Sequence, residues 1–210
     1  MIAAAVSYFL LNSILYKFLE EERKNSDGYL PGYFELEFGQ FKKSSNDDSK
    51  ELFVGDIKVR GKIDRIDIRH ENNRIKVIDY KLGGKKPTNK DLQTGISLQL
   101  PLYLYASKKL IEAELSKKYD TAAAIIYSLK LNKDEFGKKI IHTLSSRKNL
   151  DEVDLINANE KLINICNEVI PSYVDKITNG NFNLSRLEDR ENKVCRFCDF
   201  KSICRIQDVV

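Results

Sequence analysis

Three charged residues, Asp64, Asp79 and Lys81, interrupt two segments rich in β-branched side chains: Gly61-Lys62-Ile63-Asp64-Arg65-Ile66-Asp67 and Val77-Ile78-Asp79-Tyr80-Lys81. Side chains two apart on a strand point to one face, so Asp79 and Lys81 project together. Asp64, on the preceding strand of the same hairpin, can meet them across it. Two carboxylates converging on one spot repel each other unless a divalent cation lies between them. Hard oxygen donors favour Mg²⁺ or Mn²⁺, which keep several waters and accept a phosphate oxygen as a further ligand. A neighbouring ammonium positions an attacking water and stabilises charge on a phosphoryl group, so the set suits phosphodiester hydrolysis. The same spacing also fits a plain cross-strand ion pair with a spare carboxylate on an exposed sheet face.

A second set lies near the end of the chain. Cys195, Cys198 and Cys204 have the spacing C-x₂-C-x₅-C, three soft ligands from one short segment, which suits zinc or an iron–sulfur cluster. Both groups normally take four protein ligands. Cys166 stands among Ile163, Ile165 and Val169 in a helical pattern and reads as a small apolar filler. A third feature is the basic stretch with Lys81, Lys85, Lys86 and Lys90 and no acid until Asp91. Such a Gly-containing loop can follow a DNA backbone without reading bases, or can simply be solvated.

The elements that must position these residues follow from periodicity. Residues 57–68 and 74–80 read as two strands joined by the turn His70-Glu71-Asn72-Asn73, and 33–38 as a further strand before them. Helical spacing covers 97–118, with Pro101 in the first turns where its missing N–H costs little, and 151–178, bent or interrupted at Pro171. Residues 121–131 read as a buried strand with 139–144 as its partner, and 40–51 as a polar loop. Residues 2–23 read as a helix that starts without a cap. The pattern is α/β, with a mostly hairpin-built sheet flanked by helices.

A chain of 210 residues supports one substantial core, and its formal net charge of +4 excludes neither nucleic acid nor protein partners but is too small to indicate wholly electrostatic, histone-like binding. The apolar stretch 2–15 is too short to span a bilayer and lacks the basic start and cleavage site of a secretory signal, so a cytoplasmic protein with no membrane partner is expected.

Taken in order, Gly61-x-x-Asp64-Arg65-x-Asp67, Ile78-Asp79-Tyr80-Lys81-x-Gly83, Gln99-Leu100-Pro101-Leu102-Tyr103 and the cysteine segment 195–204 resemble the RecB-like branch of the PD-(D/E)XK nuclease superfamily, most of all the C-terminal nuclease domains of AddB-type helicase–nuclease subunits. Glu35-Leu36-Glu37-Phe38-Gly39 is similar to the strand motif those domains carry before their catalytic hairpin. The resemblance implies a restriction-endonuclease-like α/β core, a central mixed sheet containing the catalytic hairpin, over residues 1–178, with a cysteine-containing tail over 179–210 packing on it. It implies Asp64 and Asp79 as metal-binding carboxylates, Lys81 as the catalytic lysine, and Gln99 and Tyr103 as a Q-x-x-x-Y motif on one helix face. Glu35 reads as strand surface. Cys195, Cys198 and Cys204 would hold a [4Fe–4S] cluster whose fourth cysteine lies upstream of the nuclease core.

The family usually takes a further metal ligand, commonly a His, from a helix before the first strand. Neither His70 nor His142 matches it by position. The missing histidine, missing cysteine and uncapped first helix together suggest the C-terminal part of a longer polypeptide. The implied activity is Mg²⁺- or Mn²⁺-dependent DNA hydrolysis at DNA ends in recombinational repair, exonucleolytic more than endonucleolytic, alongside a helicase partner. Alternative readings are a non-catalytic DNA-holding or assembly module and a CRISPR-associated RecB-like exonuclease; a zinc scaffold with structural ion pairs is a third.

Overall fold

The computed structural model describes residues 13–24, 27–39, 51–83, 86–131, 135–144, 150–181, 192, 194–201, 203 and 204. The expected helix start at residue 2, most of the loop 40–51 and Lys85 lie outside them. The chain divides into two units, Met1–Pro171 and Ser172–Val210.

The first unit is built on a five-stranded sheet in the order β1 (Leu30–Phe38), β4 (Gly61–Arg69), β5 (Arg74–Lys81), β6 (Asp120–Ser128) and β7 (Gly137–Ile141). β4 and β5 form the expected antiparallel hairpin, closed by a 3₁₀ turn at His70–Asn72 and by Asn73 in the left-handed region at φ +51°. β1 and β7 add antiparallel edges, and β6 runs parallel to β5. A parallel neighbour requires a crossover. Here it is made by the short helix α2 (Asn89–Gln93) and by α3 (Gln99–Leu115). The mixed sheet flanked by helices is the α/β core expected of a restriction-endonuclease-like fold.

Local chemistry explains most boundaries. The Thr88 and Asp91 side chains each accept from the other's backbone amide, a capping box that starts α2 soon after the strand motif ends. Pro101 falls in the first turn of α3, where no intrahelical donor is lost. Helix α4 (Glu152–Thr178) runs through Pro171, so of the expected bend or interruption there, the interruption does not occur. The first described helix, α1 (Ile14–Arg23), is capped by Ser13, whose Oγ accepts from the Tyr16 amide at 3.0 Å. The expected strand 57–68 is two pieces. Residues 57–58 pair as β3 with β2 (Phe53–Val54) in a small hairpin before the chain enters β4. The entry is tight: Gly61 lies opposite Phe38, where a Cβ would stand 2.6 Å from the phenyl ring.

Alternation along the strands divides the interior in two. Ile66, Ile68, Ile75, Val77, Ala124 and Ile126 face the larger cluster, packed with Leu100, Leu104 and Ile111 of α3 and Leu162 and Ile163 of α4. Ile78, Ala123, Ile125 and Tyr127 face the other way, with Phe18 of α1 against Tyr80 and Tyr127 at centroid distances of 6.0 and 5.2 Å. Helix α4 is fastened at its start by Glu152, which accepts from the Tyr29 hydroxyl, from Arg69 at 2.6 Å and from Arg74. Burial works against ionisation of Glu152, but the Tyr29 bond and the two guanidinium groups outweigh it and hold its carboxyl below the usual range.

The second unit contains the end of α4 and a run of tight turns around the cysteines. Cys195–Phe197 is a 3₁₀ turn, the Cys198 amide donates to the Cys195 carbonyl at 3.2 Å, and the Cys204 amide donates to the Phe200 carbonyl at 2.9 Å. All the cysteines are free thiols, Cys166 buried, Cys195 half-buried, Cys198 and Cys204 exposed. Among the described residues no helix is long and apolar enough to cross a membrane.

Glu152→Gln removes an anion from two guanidinium groups at the turn end of the hairpin. Its lowered carboxyl means that this stabilisation is present above the ordinary carboxylate range and fades as pH falls through it. Urea denaturation at neutral pH is expected to show a loss of about 1–2 kcal/mol, shrinking toward acid pH; equal stability at neutral pH would contradict it.

Candidate active site

The larger face of the sheet is apolar along β5 as far as Val77, and the same row then continues with Asp79 and Lys81. Asp79 is 2% exposed. Burying a carboxylate in such a row is unfavourable unless it is bonded. Its Oδ1 accepts from Gln99 Nε2 at 2.9 Å, and Lys81 Nζ stands 2.8 Å from Oδ2. That second contact is an ion pair without hydrogen-bond alignment, so Oδ2 is buried with no hydrogen bond.

Gln99 is the first residue of α3, and its place at the start of the crossover helix sets it beside the end of β5. Besides donating to Asp79, its amide accepts from Lys81 Nζ at 3.1 Å and donates to the Tyr103 hydroxyl at 3.2 Å. The spacing of four residues puts Gln99 and Tyr103 on one face. Tyr103 serves two purposes, since its ring also packs edge-on against Phe38 at a centroid distance of 6.4 Å.

Asp64 approaches from β4. The ladder between β4 and β5 ends at Arg65–Ile78, and just beyond it the Tyr80 amide donates to Asp64 Oδ2 at 2.8 Å. Burial pushes the Asp79 carboxyl up, Lys81 pulls it down, and the nearby Asp64 charge pushes it up again; the balance lies above the ordinary value.

Asp79, Lys81, Gln99 and Tyr103 therefore form one bonded chain at the C-terminal end of β5, and Asp64 is held beside it through the Tyr80 amide. Two carboxylates on one face, one with an unbonded buried oxygen, fit a small hard cation that keeps several waters. Among the described residues no group of three His, Cys, Asp or Glu is gathered closely enough to hold a metal. The same holds for Cys195, Cys198 and Cys204, which are not drawn into a ligand group as placed.

The other candidates are placed as follows. Glu35 is exposed and ion-paired with Lys62, in the left-handed region at φ +51° inside β1, a conformation costly for a non-glycine residue. His70 is exposed on the hairpin turn, 3.3 Å from the Tyr119 hydroxyl, and His142 is half-buried after β7. Two contributors were not singled out from sequence. One is the Tyr80 backbone amide, which no side-chain pattern reveals. The other is Glu22, whose acidic run carries no sign of what it meets: Arg65 Nη2 at 2.7 Å and Lys138 Nζ at 2.8 Å.

Comparison with known proteins places these motifs in context. The family model of the PD-(D/E)XK nuclease superfamily matches residues 4–205. Curated relatives include an ATP-dependent helicase/deoxyribonuclease subunit from Thermoanaerobacter sp. (strain X514), 23% identical over 199 residues, covering 72% of this chain and 17% of that protein. The protein of the same name from Clostridium tetani (strain Massachusetts / E88) is 24% identical over 243 residues, covering 93% of this chain and 21% of its own length. That from Lactobacillus gasseri is 37% identical over 93 residues, 40% of this chain and 8% of the relative. The chain thus spans about a fifth or less of the length of these relatives.

A raised carboxyl makes the folded state favour protonated Asp79. Its effect on stability is most favourable at acid pH and is lost as pH rises through the raised value. In metal-free buffer at neutral pH, Asp79→Asn is expected to raise Tm by the order of a few degrees, with the gain vanishing toward pH 3. Calorimetric scans at the two pH values check this; a variant that melts lower at neutral pH contradicts it.

Proposed function

The chain belongs to the PD-(D/E)XK nuclease superfamily, and from that premise we propose that it is a metal-dependent DNA nuclease domain that hydrolyses phosphodiester bonds at DNA ends. The observation that carries the reading is the convergence at one end of the hairpin of Asp79 and Lys81, tied together by Gln99, with Asp64, held by the Tyr80 amide. Nucleases of this superfamily generally use a divalent metal. In this reading Asp64 and Asp79 hold Mg²⁺ or Mn²⁺, which when bound supplies Lewis acidity at the scissile phosphate.

The chain's own groups do the rest. Lys81 presents its ammonium 2.8 Å from Asp79 Oδ2, where it orients the attacking water and stabilises charge developing on the phosphoryl oxygens. Gln99 bonds both Asp79 and Lys81 and so fixes the angle between metal-binding oxygen and ammonium; Tyr103 holds Gln99. The bond from the Tyr80 amide engages one oxygen of Asp64, and the other would be available to hold the cation. Lys86 and Lys90 follow the motif and are suited to the phosphate backbone rather than to base edges, so cleavage without sequence preference is the expectation.

By likeness to the helicase/deoxyribonuclease relatives, the domain works within a larger helicase–nuclease assembly; the motif resemblance to AddB-type domains supports a place in DNA repair, as an exonuclease more than an endonuclease. In that longer protein, the cysteine spacing supports an iron–sulfur cluster completed by a ligand from elsewhere. A second reading, a DNA-holding module without catalysis, is favoured by the presence of only two carboxylates and no third ligand among the described residues.

Incubation of end-labelled single- and double-stranded DNA with Mg²⁺ or Mn²⁺ separates them. The nuclease reading expects cleavage that disappears with chelation and falls by about 10²–10⁴ in Asp79→Ala and Lys81→Ala. Cleavage that survives both substitutions refutes the assignment of these residues. DNA binding without cleavage, in this chain and in one extended upstream, supports the second reading.

A further inference from the structure

On the reverse face of the sheet, directly behind the candidate site, Arg65 is 2% exposed. A guanidinium is always charged, and burying it is costly unless its donors are matched. They are matched by three elements. Nε and Nη2 form a fork onto Asp67, at 2.5 Å to Oδ1 and 2.8 Å to Oδ2. Nη2 also meets Glu22 Oε2 of α1 at 2.7 Å, and Nη1 donates to the Tyr80 hydroxyl at 3.2 Å.

The position of Tyr80 gives this arrangement its meaning. Tyr80 lies between Asp79 and Lys81, so its side chain is on the reverse face while theirs are on the obverse. Its hydroxyl accepts from Arg65, and its backbone amide donates to Asp64. Arg65 is in turn the residue after Asp64. Two adjacent residues of β4 are therefore tied, one on each face, to the same residue of β5.

We propose that Arg65 and Tyr80 are positioning residues: they lock β4 and β5 in the single register that brings Asp64 and Asp79 together. A slip by one residue would carry Arg65 into the apolar face and Asp64 to the reverse. Either move strands a charge, so the buried network discriminates strongly between registers even if an apolar pair would be as stable. The obverse face cannot supply this lock by itself, because its two carboxylates repel each other. Glu22 completes the device from α1 and also bonds Lys138 of β7, which extends the anchorage across the sheet.

The proposal rests on the metal-dependent reading of the site, and the experiment separates the two. Mn²⁺ affinity is measured by titration calorimetry, and exchange of the Tyr80 amide by NMR, in the parent chain, Arg65→Lys, Tyr80→Phe and Glu152→Gln. Arg65→Lys keeps the charge and loses the fork; because Arg65 acts on the ligands through Tyr80, it is expected to weaken Mn²⁺ binding by about 10-fold, the low end of what losing a direct outer partner of a ligand does, and to speed Tyr80 exchange. Tyr80→Phe keeps the ring against Phe18 and Tyr127, so it decides the matter if Arg65→Lys does not fold; a loss of about 2- to 10-fold is expected. Glu152→Gln loosens the far end of the same hairpin and is expected to leave both readouts within about twofold at a comparable fall in Tm.

Unchanged affinity and exchange in Arg65→Lys and Tyr80→Phe, or an equal loss in Glu152→Gln, overturns the lock. A parent chain that takes up no Mn²⁺ overturns the nuclease reading instead, and Tyr80 exchange then decides the lock alone: faster in the two variants supports it, unchanged refutes it.

Discussion

A β-strand turns successive side chains to opposite faces, and the organisation of this protein around its candidate site descends from that period of two acting on β4 and β5. On β5, Ile75 and Val77 commit one face to the core, which obliges Asp79 and Lys81 to extend the same row to the edge of the sheet. On β4, the residue after Asp64 must look the other way, and that residue is an arginine. Asp79 is at the margin of an apolar interior, where it is desolvated enough to feel the Asp64 charge yet stands beside the Lys81 ammonium. The reverse face, which would ordinarily be filled by hydrocarbon, carries a matched cluster of charge beneath a helix.

The hairpin was legible in the sequence because two signals agree there: β-branched alternation marks the strands, and charged residues break that alternation where no packing reason calls for them. Gln99 and Tyr103 were legible through their spacing of four on a helical stretch, and through the resemblance that named them as a motif. What remained hidden has physical reasons. The parallel pairing of β5 with β6 is a relation between strands separated by the whole crossover, and each strand looks the same locally whichever way its neighbour runs. Helix α2 is about one and a half turns long, too short for a hydrophobic period, and is signalled only by Thr88 and Asp91. Ser13 sits inside an apolar stretch that continues on both sides of it, so its role as a cap is visible only once the helix is seen to begin there. The reach of Glu22 to β4 and β7 is tertiary, and nothing next to it in the chain announces it.

Family and fold are properties of the chain as it stands, whereas role depends on more. Membership of the superfamily follows from a match over residues 4–205, and the mixed sheet is the architecture that membership calls for. Which bond is cut, and in company with what, belongs to proteins several times longer than this chain. The two ends of the protein differ in the same respect. The hairpin assembles its candidate ligands from within the first unit, whereas the cysteines of the second unit offer three thiols without drawing them together.

Glu22 also bears on where such a domain can be cut from a longer polypeptide. Counting strands, an excised piece could begin at Leu30 and keep the whole sheet, the crossover and every proposed ligand. It would leave Arg65 with part of its charge unanswered, and Lys138 without its ion-pair partner. On the proposed lock, the boundary of a working domain lies upstream of the architectural one, because α1, which contributes no proposed ligand, carries the Glu22 carboxylate that meets Arg65 and Lys138.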